Sequence, residues 1–276
     1  MSQGCSYSGC VYFDANIINM AVEHPEWYRP LFNFLFKNNL CIAFSDALLV
    51  ELSQASKKHD EFNTFFTVLP SAKIKSFEVV IDEEVNSYPK TRTDTLVLPP
   101  ASSESGKQTI ANWLSSDEIK EARRKQLLYA ENIKQHLESV KSNFPPSTQG
   151  KYNKGQTEMF AWLFSVQWLR KSHPDFMKKL IEHKRLLKAE VFPSIQLLAY
   201  YVYYKYYLGS KQIGVSDLGD LFHLFYFPYC KLIILESDMY IILNEYRSRS
   251  KMLDPVEIAN MNFFKKICDG SLGPPF

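Results

Sequence analysis

Two short apolar runs, each closing on a polar residue that opens a helix, limit what this chain can fold into more than any other feature. Cys10-Val-Tyr-Phe13 leads into Asp14-Ala-Asn16, and Cys41-Ile-Ala-Phe44 leads into Ser45-Asp46. The β-branched and aromatic content of residues 11 to 13 predicts a short strand, and residues 41 to 44 a second one. A helix begins at residues 16 to 21 and is interrupted by His24-Pro25. Residues 27 to 37 are helical with Leu31, Phe34 and Leu35 on one face, and Asn38-Asn39 ends them. Ser45-Asp46 then caps a helix that runs to Ser53. Strand, helix, strand, helix is the pattern of a parallel sheet covered by helices.

The far end repeats the pattern. A helix over residues 215 to 227 is capped by Ser216 or Asp217, and Asp217, Asp220 and His223 recur every third position on one face, opposite Leu218, Leu221, Leu224 and Phe225. Pro228 stops it. Residues 232 to 235 are a fully apolar strand candidate with Glu236-Ser-Asp238 at the carboxyl end, a short helix covers 239 to 246, and an edge strand and tail follow over 256 to 258 and 261 to 264. Strand character is also expected over residues 73 to 81, with Asp82-Glu-Glu84 as an acidic turn or helix start. Prolines and serines break regular structure from 88 to 106, as do Pro145, Pro146, Gly150 and Gly155 from 143 to 155. Helices are expected over 117 to 140, 156 to 171, 175 to 188 and 192 to 208, the last with Pro193 in its first turn. The expected fold is therefore α/β, a parallel sheet flanked by helices. One domain spans 1 to 276, its core at about 10 to 85 and 212 to 265, with a mostly helical insertion at about 86 to 211.

At 276 residues, 46% of them hydrophobic, the chain can bury a sizeable core. A formal net charge of +2 is too small to announce a nucleic-acid binder, so the placement of charge matters more than its sum. From 119 to 154, eight basic residues (Lys120, Arg123, Arg124, Lys125, Lys134, Lys141, Lys151, Lys154) face three acidic ones (Glu121, Glu131, Glu138). That stretch is either a solvated helix face or a guide for a phosphate backbone. Tyr152 is a candidate to stack an unpaired base. The five cysteines are odd in number and scattered, which fits reduced core residues of a cytoplasmic protein better than a disulfide frame or zinc site. No leader pattern is read at the N-terminus, and no apolar run approaches the roughly 20 residues of a membrane helix.

Four acidic positions share one description. Asp14 ends a strand, Glu51 opens a helix after a strand, Asp217 with Asp220 opens a helix, and Glu236 or Asp238 follows a strand. In an open α/β sheet such places converge on the crevice beyond the carboxyl ends of the strands. Carboxylates gathered there repel unless a cation compensates them, and Mg²⁺ or Mn²⁺ suits a set of carboxylates and waters. Each acid also has an ordinary role available, Asp14 and Asp217 as helix caps and the others as surface charges. Asn16 either starts a helix or supports a metal shell, and His223 reads as a helix histidine satisfied in place.

The segments Val11-Tyr-Phe-Asp-Ala-Asn-Ile-Ile18, Ile42-Ala-Phe-Ser-Asp-Ala-Leu-Leu-Val-Glu-Leu52, Ser216-Asp-Leu-Gly-Asp-Leu-Phe-His223 and Tyr229-Cys-Lys-Leu-Ile-Ile-Leu-Glu-Ser-Asp238 together resemble the PIN-domain nucleases. The resemblance covers roughly residues 10 to 85 and 212 to 265 and implies a Rossmann-like parallel sheet there. It implies a PIN-like endoribonuclease with a Mg²⁺ or Mn²⁺ site, catalytic Asp14, Glu51 and Asp220, and Asp217 with Glu236 or Asp238 completing the metal ligands. Asn16, Lys120, Arg123 and Arg124 would bind the RNA substrate. Many members are toxins of toxin-antitoxin pairs, so an antitoxin or other protein and a second copy of the chain in a homodimer are the implied protein partners. Two features depart from the family pattern: Leu235-Glu-Ser-Asp238 stands where the last strand usually ends in Thr-x-Asp, and the helical insertion is longer than compact toxins carry. The alternative is a catalytically inactive PIN-like module that binds RNA or protein.

Overall fold

The computed structural model describes residues 8–93, 95–97, 110–143, 145, 153–209, 212–214 and 217–272. Cys5, Lys151, Tyr152 and Ser216 lie outside these residues, as do positions 94 and 98 to 106 of the Pro- and Ser-rich break and positions 144 and 146 to 152 of the break at 143 to 155. In chain order the elements are β1 (Gly9–Phe13), α1 (Ala15–Val22), α2 (Tyr28–Lys37), β2 (Leu40–Phe44), α3 (Asp46–Leu52), α4 (His59–Val68), β3 (Ser71–Lys73), α5 (Phe77–Ser87), α6 (Ile110–Leu114), α7 (Asp117–Asn143), α8 (Lys154–Ser172), α9 (Pro174–Glu182), α10 (Pro193–Val202), α11 (Asp217–His223), β4 (Leu232–Leu235), α12 (Ser237–Arg247), β5 (Glu257–Asn260) and α13 (Met261–Cys268). They group into two compact units. The first comprises residues 1–75, 95–125 and 229–276, and the second 76–94 and 126–228.

The first unit is built on a five-stranded, all-parallel sheet in the order β3-β2-β1-β4-β5. Its inner strands read as unbroken apolar runs because both faces are covered: every residue of β2 and β4 is buried, and in β1 only Gly9 falls short of that. The register sets Tyr12 beside Ala43 on one flank and Ile233 on the other. The order turns around between β1 and β4, since β2 and β3 lie on one side of β1 while β4 and β5 lie on the other. Asn39, at φ 51°, makes the left-handed turn from α2 into β2 that the Asn38-Asn39 pair announces.

Several segments differ from expectation: the helix expected over 175 to 188 ends at Glu182, and the one expected over 215 to 227 is helical over Asp217–His223. Strand β3 ends at Lys73, and residues 77 to 87 are helix, not strand. The β-branched Val79-Val-Ile81 run suggests a strand, but Ser76 caps the segment by accepting the Val79 N–H, and Phe77, Val80, Ile81 and Glu84 fall on one buried helical face. Asp82-Glu-Glu84 is thus helix interior. At the other end, residues 261 to 264 are no tail but the start of α13, where the Asn260 side chain accepts the N–H groups of Asn262 and Phe263 at 3.0 and 3.2 Å.

The second unit is helical. α8 packs on α9 and α10, and α10 is buried on nearly every side. Its polar residues are satisfied internally: Ser194 Oγ donates to the Phe225 carbonyl at 2.7 Å and Gln196 Nε2 to Ser165 Oγ at 2.8 Å. Within the same unit the buried Glu84 accepts the Ser194 N–H at 3.0 Å. The helix expected to reach residue 208 changes pitch on the way. Tyr203–Tyr207 is a π-helix, with the Leu208 N–H bonding the Tyr203 carbonyl at 2.9 Å. A side chain at Gly209 would meet the Lys205 carbonyl oxygen at 2.5 Å, so only glycine closes this turn. Among the described residues no helix is long and apolar enough to cross a membrane.

Candidate functional site

The carboxyl edge of the first unit's sheet gathers the polar residues that the strand ends deliver. Asp14 follows β1 directly, is 6% exposed, and caps α1 by accepting the Asn16 N–H on Oδ1 at 2.8 Å. Its own N–H donates to the Ile234 carbonyl at 3.1 Å, which ties the end of β1 to the neighbouring strand β4. Two residues past Ile234, Glu236 precedes α12, and its Oε2 accepts a hydrogen bond from Asn16 Nδ2 at 2.7 Å. Asn16 therefore spans the two strand ends, its backbone on Asp14 and its side chain on Glu236. This edge lies where the strand order reverses, the place at which open α/β sheets hold their ligands.

Of the two competing carboxylates after β4, Glu236 is the one bonded to this group, and Asp238 is exposed in the first turn of α12. Glu51 is half-buried and stands sixth of the seven residues of α3, so it closes that helix instead of opening it; α3 packs on α1. The Ser45 cap is as expected, with Oγ accepting the Leu48 N–H at 3.1 Å. Its hydroxyl also pairs with the Tyr12 hydroxyl at 2.6 Å, a buried link between β1 and the start of α3. Tyr12→Phe should lower the stability of the fold by about 1 kcal/mol, read from the midpoint of urea unfolding. An unchanged midpoint would contradict a stabilising role for that bond.

The basic candidates sit on the opening turns of α7 and are exposed. Lys120 pairs with Asp117 at 2.7 Å and Arg124 with Glu121 at 2.7 Å, so the helix neutralises two of the three candidates itself, while Arg123 is exposed beside them. Exposed pairs of this kind contribute little to stability. Four cysteines, Cys10, Cys41, Cys230 and Cys268, are buried free thiols, as expected of reduced core residues.

Asp217 and Asp220 belong to the second unit. They share one face of α11, as their spacing requires, and both reach Lys205 of the π-helix: its Nζ lies 3.5 Å from Asp217 Oδ1 and 3.4 Å from Asp220 Oδ2. Asp217 also closes its own cap, accepting the Gly214 N–H on Oδ2 at 2.9 Å. Burial works against a charge on Lys205, but Tyr206, Asp220 and Asp217 outweigh it and hold the ammonium above the ordinary lysine pKa. Sequence reasoning missed Lys205 because its link to α11 exists only in the folded chain. The signal available was a single lysine inside an otherwise apolar and tyrosine-rich run.

Among the described residues, no three His, Cys, Asp or Glu side chains stand together in a metal-holding group. No family model matches the chain, no curated protein matches it, and no solved structure matches it.

Proposed function

We propose that the chain is a metal-dependent phosphodiester hydrolase of PIN-like type acting on RNA, with its cation held at the carboxyl edge of the sheet by Asp14 and Glu236. The observation that carries this reading is the bonded group Asp14-Asn16-Glu236 at the reversal point between β1 and β4. The donor set fits Mg²⁺ or Mn²⁺: hard oxygens, and only one or two protein carboxylates, since these ions keep several waters and take the rest of their shell from substrate phosphate. Asp14 and Glu236 would hold such a cation, and the chemistry it would supply there is polarisation of a phosphoryl oxygen and activation of water at neutral pH.

The side chains divide the remaining work. Asp14 and Glu236 supply the negative charge, and Asn16 fixes the direction of the Glu236 carboxylate through its 2.7 Å bond. Glu51, on the helix against α1, is the third acid of the first unit assigned to this edge. Asp217 and Asp220, paired with Lys205, are left out of the assignment. Arg123, Lys120 and Arg124 are assigned to the phosphate backbone, where neutralising phosphates makes affinity fall with salt.

Asn16→Ala should weaken Mn²⁺ binding by about 10 to 100-fold, the usual effect of removing a group that orients a ligand. Isothermal titration measures this directly, and unchanged affinity would remove Asn16 from the site. The reading itself is tested by incubating the protein with single-stranded RNA and DNA oligonucleotides in Mn²⁺ and in EDTA. Cleavage of RNA in Mn²⁺ alone supports it, and cleavage confined to DNA transfers the site to a DNA nuclease. The Lys205 pairing favours one second reading, a non-catalytic PIN-like module that binds RNA or protein. RNA binding unaffected by EDTA, without cleavage, would select that module.

A further inference from the structure

Two aspartates on one helix face need a positive partner, and the second unit supplies it from within the chain. The Lys205 ammonium has three N–H donors and three partners: Asp217 Oδ1 at 3.5 Å, Asp220 Oδ2 at 3.4 Å and the Tyr201 hydroxyl at 2.8 Å. Its side chain is 10% exposed, and it lies over the rings of Tyr201 and Tyr206, 5.1 and 5.6 Å from their centroids. Both oxygens of Asp217 are engaged by the chain itself, one by Lys205 and the other by the Gly214 N–H. The π-helix is the local irregularity that holds Lys205 there, closed by a position that admits only glycine. π-turns inside helices commonly mark places where geometry is set for a purpose other than packing.

We propose that Lys205 is the resident cation of the α11 acidic pair: its ammonium occupies the charge-compensating place that a divalent metal takes between carboxylates, so Asp217 and Asp220 bind no such metal while it is present. Removing the ammonium leaves two carboxylates without their shared cation in a largely buried setting, which destabilises the unit until a cation from solution takes the vacated place. This inference does not depend on the hydrolase reading, because it concerns residues of the second unit alone.

The test uses the full chain carrying Asp14→Asn and Glu236→Gln, so that the edge of the first unit's sheet no longer contributes. Thermal unfolding is followed with and without Mn²⁺. In this background Mn²⁺ should not shift Tm. Adding Lys205→Ala should lower Tm in EDTA and make it rise again by several degrees once Mn²⁺ exceeds its Kd about a hundredfold. Further substitution of Asp217→Asn and Asp220→Asn should abolish that rise, while Lys205→Arg should show none. If Lys205→Ala unfolds in EDTA, refolding by Mn²⁺ gives the same readout. Two results would overturn the proposal: a Mn²⁺-dependent Tm rise with Lys205 intact that Asp217→Asn removes, or a Lys205→Ala chain indifferent to Mn²⁺ in both Tm and refolding.

Discussion

If the proposed hydrolase reading holds, Asp14→Asn should lower Mn²⁺-dependent cleavage of RNA by more than about a hundredfold, beyond the loss typical of a residue that merely orients a ligand. Far-UV circular dichroism and Tm stay near those of the parent. The separation of the two effects follows from the dual role of the side chain. As a cap, Asp14 accepts the Asn16 N–H through one carboxylate oxygen at 2.8 Å, and asparagine keeps an oxygen that can do the same. Asparagine is as good an N-cap as aspartate, so α1 retains its start. What the substitution removes is a negative charge at a position 6% exposed, beside the end of β4. A cation held there would lose an anionic partner, while the backbone would keep its cap. Retained cleavage would remove Asp14 from the chemistry and leave it a cap.

The largest effect on stability should come from α13. Phe264→Ala is expected to cost about 3 to 5 kcal/mol, the range for truncating a fully buried phenylalanine. Its ring is fully buried and meets Phe13 of β1 edge-on at 5.5 Å and Trp27 at 6.0 Å, and α13 packs on α2, β4 and β5. Urea unfolding of the variant measures the loss. A cost below about 1 kcal/mol, the scale of a surface change, would mean that α13 is peripheral to the sheet.

The elements legible in the sequence are those whose local pattern and tertiary setting agree. β1, β2 and β4 are covered on both faces, so their apolar runs need no alternation to be recognised. Ser45 announces α3 because its hydroxyl competes well for the first free N–H groups of a helix. α5 was hidden because Val79, Val80 and Ile81 prefer strands, and only the fold shows that burial at every third or fourth position decides the matter. α13 was hidden for a related reason: its cap, Asn260, is also the last residue of β5, leaving no loop to separate strand from helix.

The candidate site divides along the same line. That Asp14 and Glu236 end adjacent strands follows from two apolar runs and the strand order. That Asn16 joins them depends on a bond across 220 positions, which no local pattern encodes. The choice between Glu236 and Asp238 was open in the sequence, and the hydrogen bond to Asn16 distinguishes them. The acid pair Asp217 and Asp220 reads correctly as one helical face, but the cation it faces is Lys205, supplied from the preceding π-helix.

A crystal soaked in Mn²⁺ and measured at the manganese absorption edge tests the central assignment most directly, because it reports ligands and metal together. The assignment predicts an anomalous peak at the carboxyl edge of the sheet, within coordination distance of Asp14 and Glu236. A fully soaked crystal with no peak there, or with its peak on other residues, would contradict it.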